Sequence, residues 1–310
     1  MKSFQLATAV ILATTTMAMA QDKVQISYSG VLSVEHLSGT NYREDYFHGN
    51  GDVSFRWSTA SDLKFGADFG IETFGLFDNA GSFNDLSAYY ASGIIEGKFG
   101  KFYIGMPRGI MDDYFSVPAM AGSELFDLEI SFWGHDLFRY LRLLSDEVGE
   151  NVFGLRYDGE IGQIRVAASV SNFSEDISNF GELVVRYDAG QCSVTLGTSL
   201  LEVDGSSINS TSLEVQGSAG KFTGGILYNK TDELVSYSNS ARAFIAYDVS
   251  DAVKINAQVL NYEFFADSDN VIYAFDLSYK HKTGAFVNAG VLTNDTLVDK
   301  IFNVAVGYKF

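Results

Sequence analysis

Sixteen stretches of this chain alternate apolar and polar residues one for one, and helical periodicity is nearly absent. Successive side chains of an extended strand point to opposite faces, so such alternation fixes two faces of opposite chemistry. "KVQISYSGVLSVE" sets Val24, Ile26 and Tyr28 against Gln25, Ser27 and Ser29. "DVSFRWS" sets Val53, Phe55 and Trp57 against Asp52, Ser54 and Arg56. "DLKFGADFGIET" sets Leu63, Phe65, Ala67, Phe69 and Ile71 against Lys64, Asp68 and Glu72. Further segments follow at about residues 86–97, 101–107, 151–158, 163–172, 179–189, 191–203, 208–219, 221–230, 238–249, 252–265, 271–282, 284–293 and 299–310. The last ends "IFNVAVGYKF", with Phe302, Val304, Val306, Tyr308 and Phe310 on one face. Such a row suits lipid better than water.

The connections alternate in length. "STASD", "FGK", "DGEIG", "DAGQ", "SAGK", "DVSDA" and "HKTGA" read as tight turns rich in Gly, Ser and Asp. Between them lie longer polar links such as "HLSGTNYR", "GLFDNAGSFND", "NKTDELVSYSN" and "FADSDNV". An antiparallel outer-membrane barrel has short periplasmic turns and longer external loops. A soluble β-sandwich also has many short strands, but its loops have no reason to alternate in length. The pattern predicts an all-β chain, a transmembrane antiparallel β-barrel of about 16 strands.

Composition agrees. The chain has no run of apolar residues long enough for a membrane helix, yet it is 14% aromatic with a mean hydropathy near zero. A barrel gives that result because its lipid and lumen faces cancel. Both prolines, Pro107 and Pro118, fall in one stretch without strand pattern, as expected where most backbone N–H groups are needed in ladders. Lys2, the apolar run "FQLATAVILATTTMAMA" and Ala18-Met19-Ala20 read as a cleaved signal peptide over residues 1–20, leaving one barrel domain over 21–310. Its removal takes the net charge from −18 to −19. That charge argues against nucleic acid, and a lone Cys192 excludes an internal disulfide. No Gly-x-Ser-x-Gly, His-Glu-x-x-His or P-loop occurs, and His36, His48, His135 and His281 have no ligand spacing. No enzymatic activity, catalytic residue, metal or cofactor is expected.

In order along the chain, "FGKFYIGM" leads into a long connection, "NVFGLRYDGEIGQIRVAASVS" follows it, and the chain ends on Phe310. Together with the alternating strands, these features resemble the general porins of the Gram-negative outer membrane, in particular the sixteen-stranded α-proteobacterial type. The resemblance implies a homotrimer in outer-membrane lipid and passive diffusion of small hydrophilic solutes. It also implies insertion by a barrel-assembly machinery that reads the terminal aromatic strand at Phe310.

One segment breaks the strand pattern. Residues 108–149 form the third long connection, and it either covers the mouth of the barrel or folds inside. In the porins it resembles, this loop folds into the lumen. Phe126, Phe132, Trp133, Phe138 and Tyr140 favour the inside, because such rings gain little in water. A short helix is expected over Asp136–Leu144, with Leu137, Leu141 and Leu144 on one side and Arg139 and Arg142 on another. The expected constriction is Asp112, Asp113, Glu124, Asp127, Glu129, Asp136, Arg139 and Arg142 on the loop. Arg56, Lys64, Arg156, Arg165 and Arg186 face it from the wall, while Arg242 and Lys254 are read as simply facing water. Related porins cluster basic residues on strands two and three, but this chain has His48, Asn50 and Asp52 there. The expected channel prefers cations weakly. A substrate-selective channel on the same fold, for example for sugars, is the alternative. A third reading, a surface adhesin or enzyme, needs either long ordered external loops or a catalytic triad at the lipid edge.

Overall fold

The computed structural model describes residues 24–39, 43–59, 62–77, 83–126, 138–139, 142–143, 152–172, 177–203, 206–231, 239–264, 268–294 and 300–310. The strands in chain order are β1 (Val24–Ser38), β2 (Arg43–Ser58), β3 (Lys64–Phe77), β4 (Phe83–Gly97), β5 (Gly100–Met106), β6 (Phe153–Ile161), β7 (Ile164–Asn172) and β8 (Ile177–Ala189). They continue as β9 (Cys192–Val203), β10 (Ser206–Ala219), β11 (Phe222–Thr231), β12 (Asn239–Asp248), β13 (Val253–Phe264), β14 (Ser268–Lys280), β15 (Ala285–Asn294) and β16 (Ile301–Lys309). Each pairs antiparallel with its chain neighbours, and β16 pairs with β1 from Val31↔Lys309 to Ser38↔Phe302. Gly30 and Phe310 extend that seam by exchanging two backbone hydrogen bonds of 3.0 Å. The sheet is a closed barrel. Closure satisfies the ladder without leaving an edge, which strands in lipid require.

All sixteen segments expected from the sequence are strands. Tight turns join β2–β3, β4–β5 and so on to β14–β15, with Gly162, Gly190 and Gly220 in the left-handed region (φ +64°, +70° and +61°). The opposite end differs from expectation. "HLSGTNYR" is mostly strand, because β1 runs to Ser38 and β2 begins at Arg43. "FADSDNV" is cut short by β14, which begins at Ser268, and the β9–β10 connection is only residues 204–205. In β2 the outward positions include Gly49 and Gly51, so the sequence shows no apolar row there. Residues 107–152 are the one long connection.

The two faces of the wall separate cleanly. Val304 and Val306 are 45% and 55% exposed while Asn303 and Ala305 beside them are 1% and 0%. Tyr28, Ile104, Ile226, Tyr273 and Phe302 share the outward apolar belt, the lipid face of a barrel. Cys192 is exposed on that face. The inner face changes along the axis. Toward the turns it is polar and exposed, as at Gln25, Ser27 and Ser29; toward the loops it is buried, as at Ser33, Glu35 and Leu37.

Candidate pore constriction

From Pro107 to Phe126 the long connection touches inner-face side chains from one side of the barrel round to the other. Arg108 donates from Nε and Nη2 to Asp52 Oδ1 of β2 (3.0 and 2.8 Å), and its guanidinium lies 4.2 Å from the Tyr90 ring centroid. A short helix, α1 (Ile110–Tyr114), follows. The first N–H groups of a helix lack intrahelical partners. Here Glu182 of β8 accepts from Ile110 N (3.0 Å) and Met111 N (3.5 Å). Arg186 donates to the Tyr114 carbonyl (3.0 Å), and Glu214 of β10 accepts from Ser116 N (3.0 Å). Arg242 of β12 donates to the Pro118 carbonyl and Gln258 of β13 to that of Ala119 (3.0 Å).

A 3₁₀ turn, Met120–Gly122, comes next. Asn303 of β16 donates to Ala121 O (3.2 Å) and Asn288 of β15 to Gly122 O (3.4 Å). Gly290 of β15 permits this approach, since a Cβ there would lie 2.1 Å from the Ala121 carbonyl oxygen. Finally Glu35 of β1 accepts from Ser123 Oγ (2.9 Å) and Glu124 N (3.2 Å). Wall carboxylates accept from the connection's N–H groups, and wall Arg, Gln and Asn donate to its carbonyls. Each buried backbone group would otherwise cost about 1–3 kcal/mol unpaired. Burial pushes the Tyr114 phenol up to about 12, so it adds no charge at neutral pH.

The expected site residues fall into several groups. Asp113 meets Arg156 at 2.6 Å and is still 43% exposed. Arg156 also contacts Asp158 (3.0 Å) and donates to the carbonyls of Arg108 and Gly109 (3.2 Å each). Asp112 is half-buried on α1, and Glu124 joins the wall through its main chain. Arg139 is buried against Glu72 of β3 (2.8 and 2.5 Å), and Arg142 donates to the Tyr89 carbonyl (2.5 Å). Of the expected helix over 136–144, Phe138, Arg139, Arg142 and Leu143 are described and helical. Asp127, Glu129 and Asp136 lie outside the described residues.

Most of the wall bases pair with wall acids. Arg56 pairs with Asp68 (2.6 Å) and Lys64 with Glu96 (2.8 Å), both across neighbouring strands. Arg165 and Arg186 stand opposite each other in the β7–β8 register, and Asp188 bridges them at 2.7 and 2.9 Å. Like charges directly across a ladder repel, so a shared carboxylate between them is favoured. Wall acids therefore answer most wall bases, and Arg156 is the one that also takes a loop carboxylate. Arg242, read as facing water, is 1% exposed and bonded to Gln258 and Pro118. At β2–β3 the usual arrangement is reversed: the wall supplies Asp52 and Glu72, and the loop supplies Arg108 and Arg139. The holding glutamates Glu35, Glu182 and Glu214 went unnoticed in the sequence. Their signal was a lone Glu at inner parity in mid-strand.

The rest of the connection is apolar. Met120 and Phe126 pack with Leu37, Tyr46, Leu260 and Leu292. Phe138 and Leu143 pack with Phe74, Tyr90, Phe180 and Leu201. Among the described residues no helix is long and apolar enough to cross a membrane, and no group of His, Cys, Asp or Glu could hold a metal ion.

A closed antiparallel barrel with an outward apolar belt and a polar inner wall defines an outer-membrane channel protein. The family of Gram-negative porins matches residues 7–297, and the chain belongs to it. Salmonella typhi OmpF in complex with daunomycin superposes with a TM-score of 0.69 at 11% identity, covering 94% of this chain and 99% of that one. A double mutant of Rh. blastica porin gives 0.67 at 13%, covering 92% and 100%. A loop-deletion mutant of the Vibrio cholerae outer-membrane protein OmpT gives 0.64 at 16%, covering 93% and 100%. No curated protein matches the sequence. The protein is an outer-membrane porin.

Proposed function

We propose that this porin is a homotrimeric diffusion channel for small hydrophilic solutes and ions, with weak preference for cations. The connection between β5 and β6 lies in the lumen and narrows it. The observation that carries this reading is the circuit of hydrogen bonds between residues 108–124 and inner-face side chains from β1 round to β16. Residues 1–20 act as a cleaved export signal, and the assembly machinery reads the strand ending at Phe310. Small outward residues near the seam, such as Gly30, Ala285 and Ala289, let neighbouring barrels approach.

The cation preference rests on a charge imbalance. The chain carries −18, and Glu35, Glu182 and Glu214 meet the connection without forming an ion pair among the described residues. The bases of β2–β8 are largely neutralised by neighbouring acids. Reversal potentials in a salt gradient test this. The expected sign is that of a cation-preferring pore, with the preference fading toward 1 M salt, where the screening length is about 3 Å. Replacing Asp112, Asp113 and Asp127 together with Asn should reduce it. An anion-selective channel refutes it. The second reading, a substrate-selective channel, is favoured by the apolar packing at the loop end, which unhindered diffusion of polar solutes does not need. Saturable block of single-channel current by a candidate sugar would support it.

A further inference from the structure

We infer that the charge preference of the pore is set on the β2–β6 side of its wall, by three ion pairs that turn their carboxylate to the lumen and their arginine away from it. The inference deepens the proposed cation preference and rests on it; it names Asp52 and Asp68 as the wall residues that decide which ions pass. The pairs are Arg56–Asp68 (2.6 Å), Arg108–Asp52 (2.8 Å) and Arg156–Asp113 (2.6 Å). Side-chain exposure runs the same way in each: 18% against 31%, 15% against 39% and 6% against 43%, with the acid always the more exposed. The order is not general. Toward the turn end, Glu96 is less exposed than its partners Lys64 and Lys101. Asp52 and Asp68 lie close enough to act on each other's charge, and Arg108 acts on both Asp52 and Asp113. Two glycines of β3 leave room for the arginines to lie against the wall. A Cβ at Gly66 would come 2.8 Å from Arg56 Cδ, and one at Gly70 3.0 Å from Arg108 Nη2.

A pair of zero net charge still presents the sign of its nearer member, because Coulomb energy falls with distance. Contact chemistry adds to this. A carboxylate oxygen only accepts, so it can stand in for water around a cation, whereas an anion needs N–H donors. The arginines aim theirs at the wall and the connection. Arg56 donates to both oxygens of Asp68 and to the Phe55 carbonyl. Arg108 donates to Asp52 and Asn50, and Arg156 to Asp158 and the carbonyls of Arg108 and Gly109. Both bonds from Arg108 to Asp52 fall on Oδ1, which leaves Oδ2 for a passing cation.

Reversal potentials in a potassium chloride gradient test this, at about 0.1 M salt, where the screening length is about 10 Å. Asp52→Asn with Asp68→Asn is expected to lower the cation-to-anion permeability ratio about twofold or more. Asparagine keeps an acceptor oxygen for each arginine, so the geometry can outlast the charge. Asp52→Glu with Asp68→Glu, which keeps the charge, should keep the ratio. Asp188→Asn with Asp248→Asn removes as much charge nearer the turns and should lower the ratio less than about half as far. Equal shifts from the two pairs of Asn substitutions overturn the inference, since net charge alone would then decide. An unchanged ratio in the Asp52 and Asp68 variant of a cation-preferring channel also overturns it, and leaves the proposed preference standing. A wild type that prefers anions overturns that preference and the inference with it. Should the double variant fail to fold, Asp52→Asn alone decides: a lower ratio supports the inference and an unchanged one sinks it.

Discussion

The two ends of the lumen are built from the same strands and the same parity of residue, yet they are opposite environments. At the turn end β1 shows Gln25, Ser27 and Ser29 to open space, and Lys254, Lys280 and Lys309 are exposed. At the loop end β1 shows Ser33, Glu35 and Leu37, all buried, and Phe180, Leu201 and Leu292 on other strands are buried with them. Parity decides which face of the wall a residue joins. What that face meets is decided by position along the axis, and at the loop end inner-face residues such as Glu35 and Glu182 meet backbone groups of residues 110–124.

This contrast can be broken by substitution. The largest effect is expected for Arg156→Ala, which strips Asp113 and Asp158 of their partner and leaves two carbonyls bare; breaking a fully buried pair costs about 3–5 kcal/mol, and the exposure of Asp113 brings this toward the lower figure. Its turn-end counterpart, Lys254→Ala, removes a 3.4 Å pair that is half exposed, and such pairs contribute under about 1 kcal/mol. Denaturant midpoints of the two variants in vesicles, at unchanged slope, compare the ends directly. Leu37→Ala comes next, at about 2–5 kcal/mol for an apolar side chain lost from a packed site. Should it unfold no more readily than Ser27→Ala, expected within about 0.5 kcal/mol, the loop end is not a core.

Glu182→Ala leaves two N–H groups of α1 unanswered, at about 1–3 kcal/mol, and Glu182→Gln should recover part of that through its remaining acceptor. Among the loop-end variants the smallest effect is expected for Gly290→Ala. Its Cβ must displace the Ala121 carbonyl, at about 1–2 kcal/mol, and crystallography of the variant should show the 3₁₀ turn shifted from β15 with the barrel unchanged.

The sequence made the barrel legible because alternation survives wherever one face meets lipid and the other meets water. It faded where both faces are apolar. The reading of β1 stopped at Glu35 because His36, Leu37 and Ser38 no longer alternate by chemistry; that stretch pairs as strand while its inner face is packed. Gly49 and Gly51 hid the first half of β2 in another way, by breaking its outward row ahead of Val53. The long connection was legible as a break with two prolines and many rings. Its partners were not. Arg56 finds Asp68 by a diagonal that depends on strand stagger, since its direct register partner is Gly66. Ala121 finds Asn303 across 182 positions of sequence. Which wall charge meets which loop atom follows from closing the ring, and no local pattern encodes it.

The wall grips the proximal connection by its main chain. Glu182, Glu214 and Glu35 accept from backbone N–H groups, and Arg186, Arg242, Gln258, Asn303 and Asn288 donate to backbone carbonyls. Main-chain groups are the same whatever side chain follows them. The place of the connection is therefore written in the barrel, while the character of a half-buried position such as Asp112 is written in the connection alone. Such positions can be exchanged like interchangeable fittings in a fixed mount.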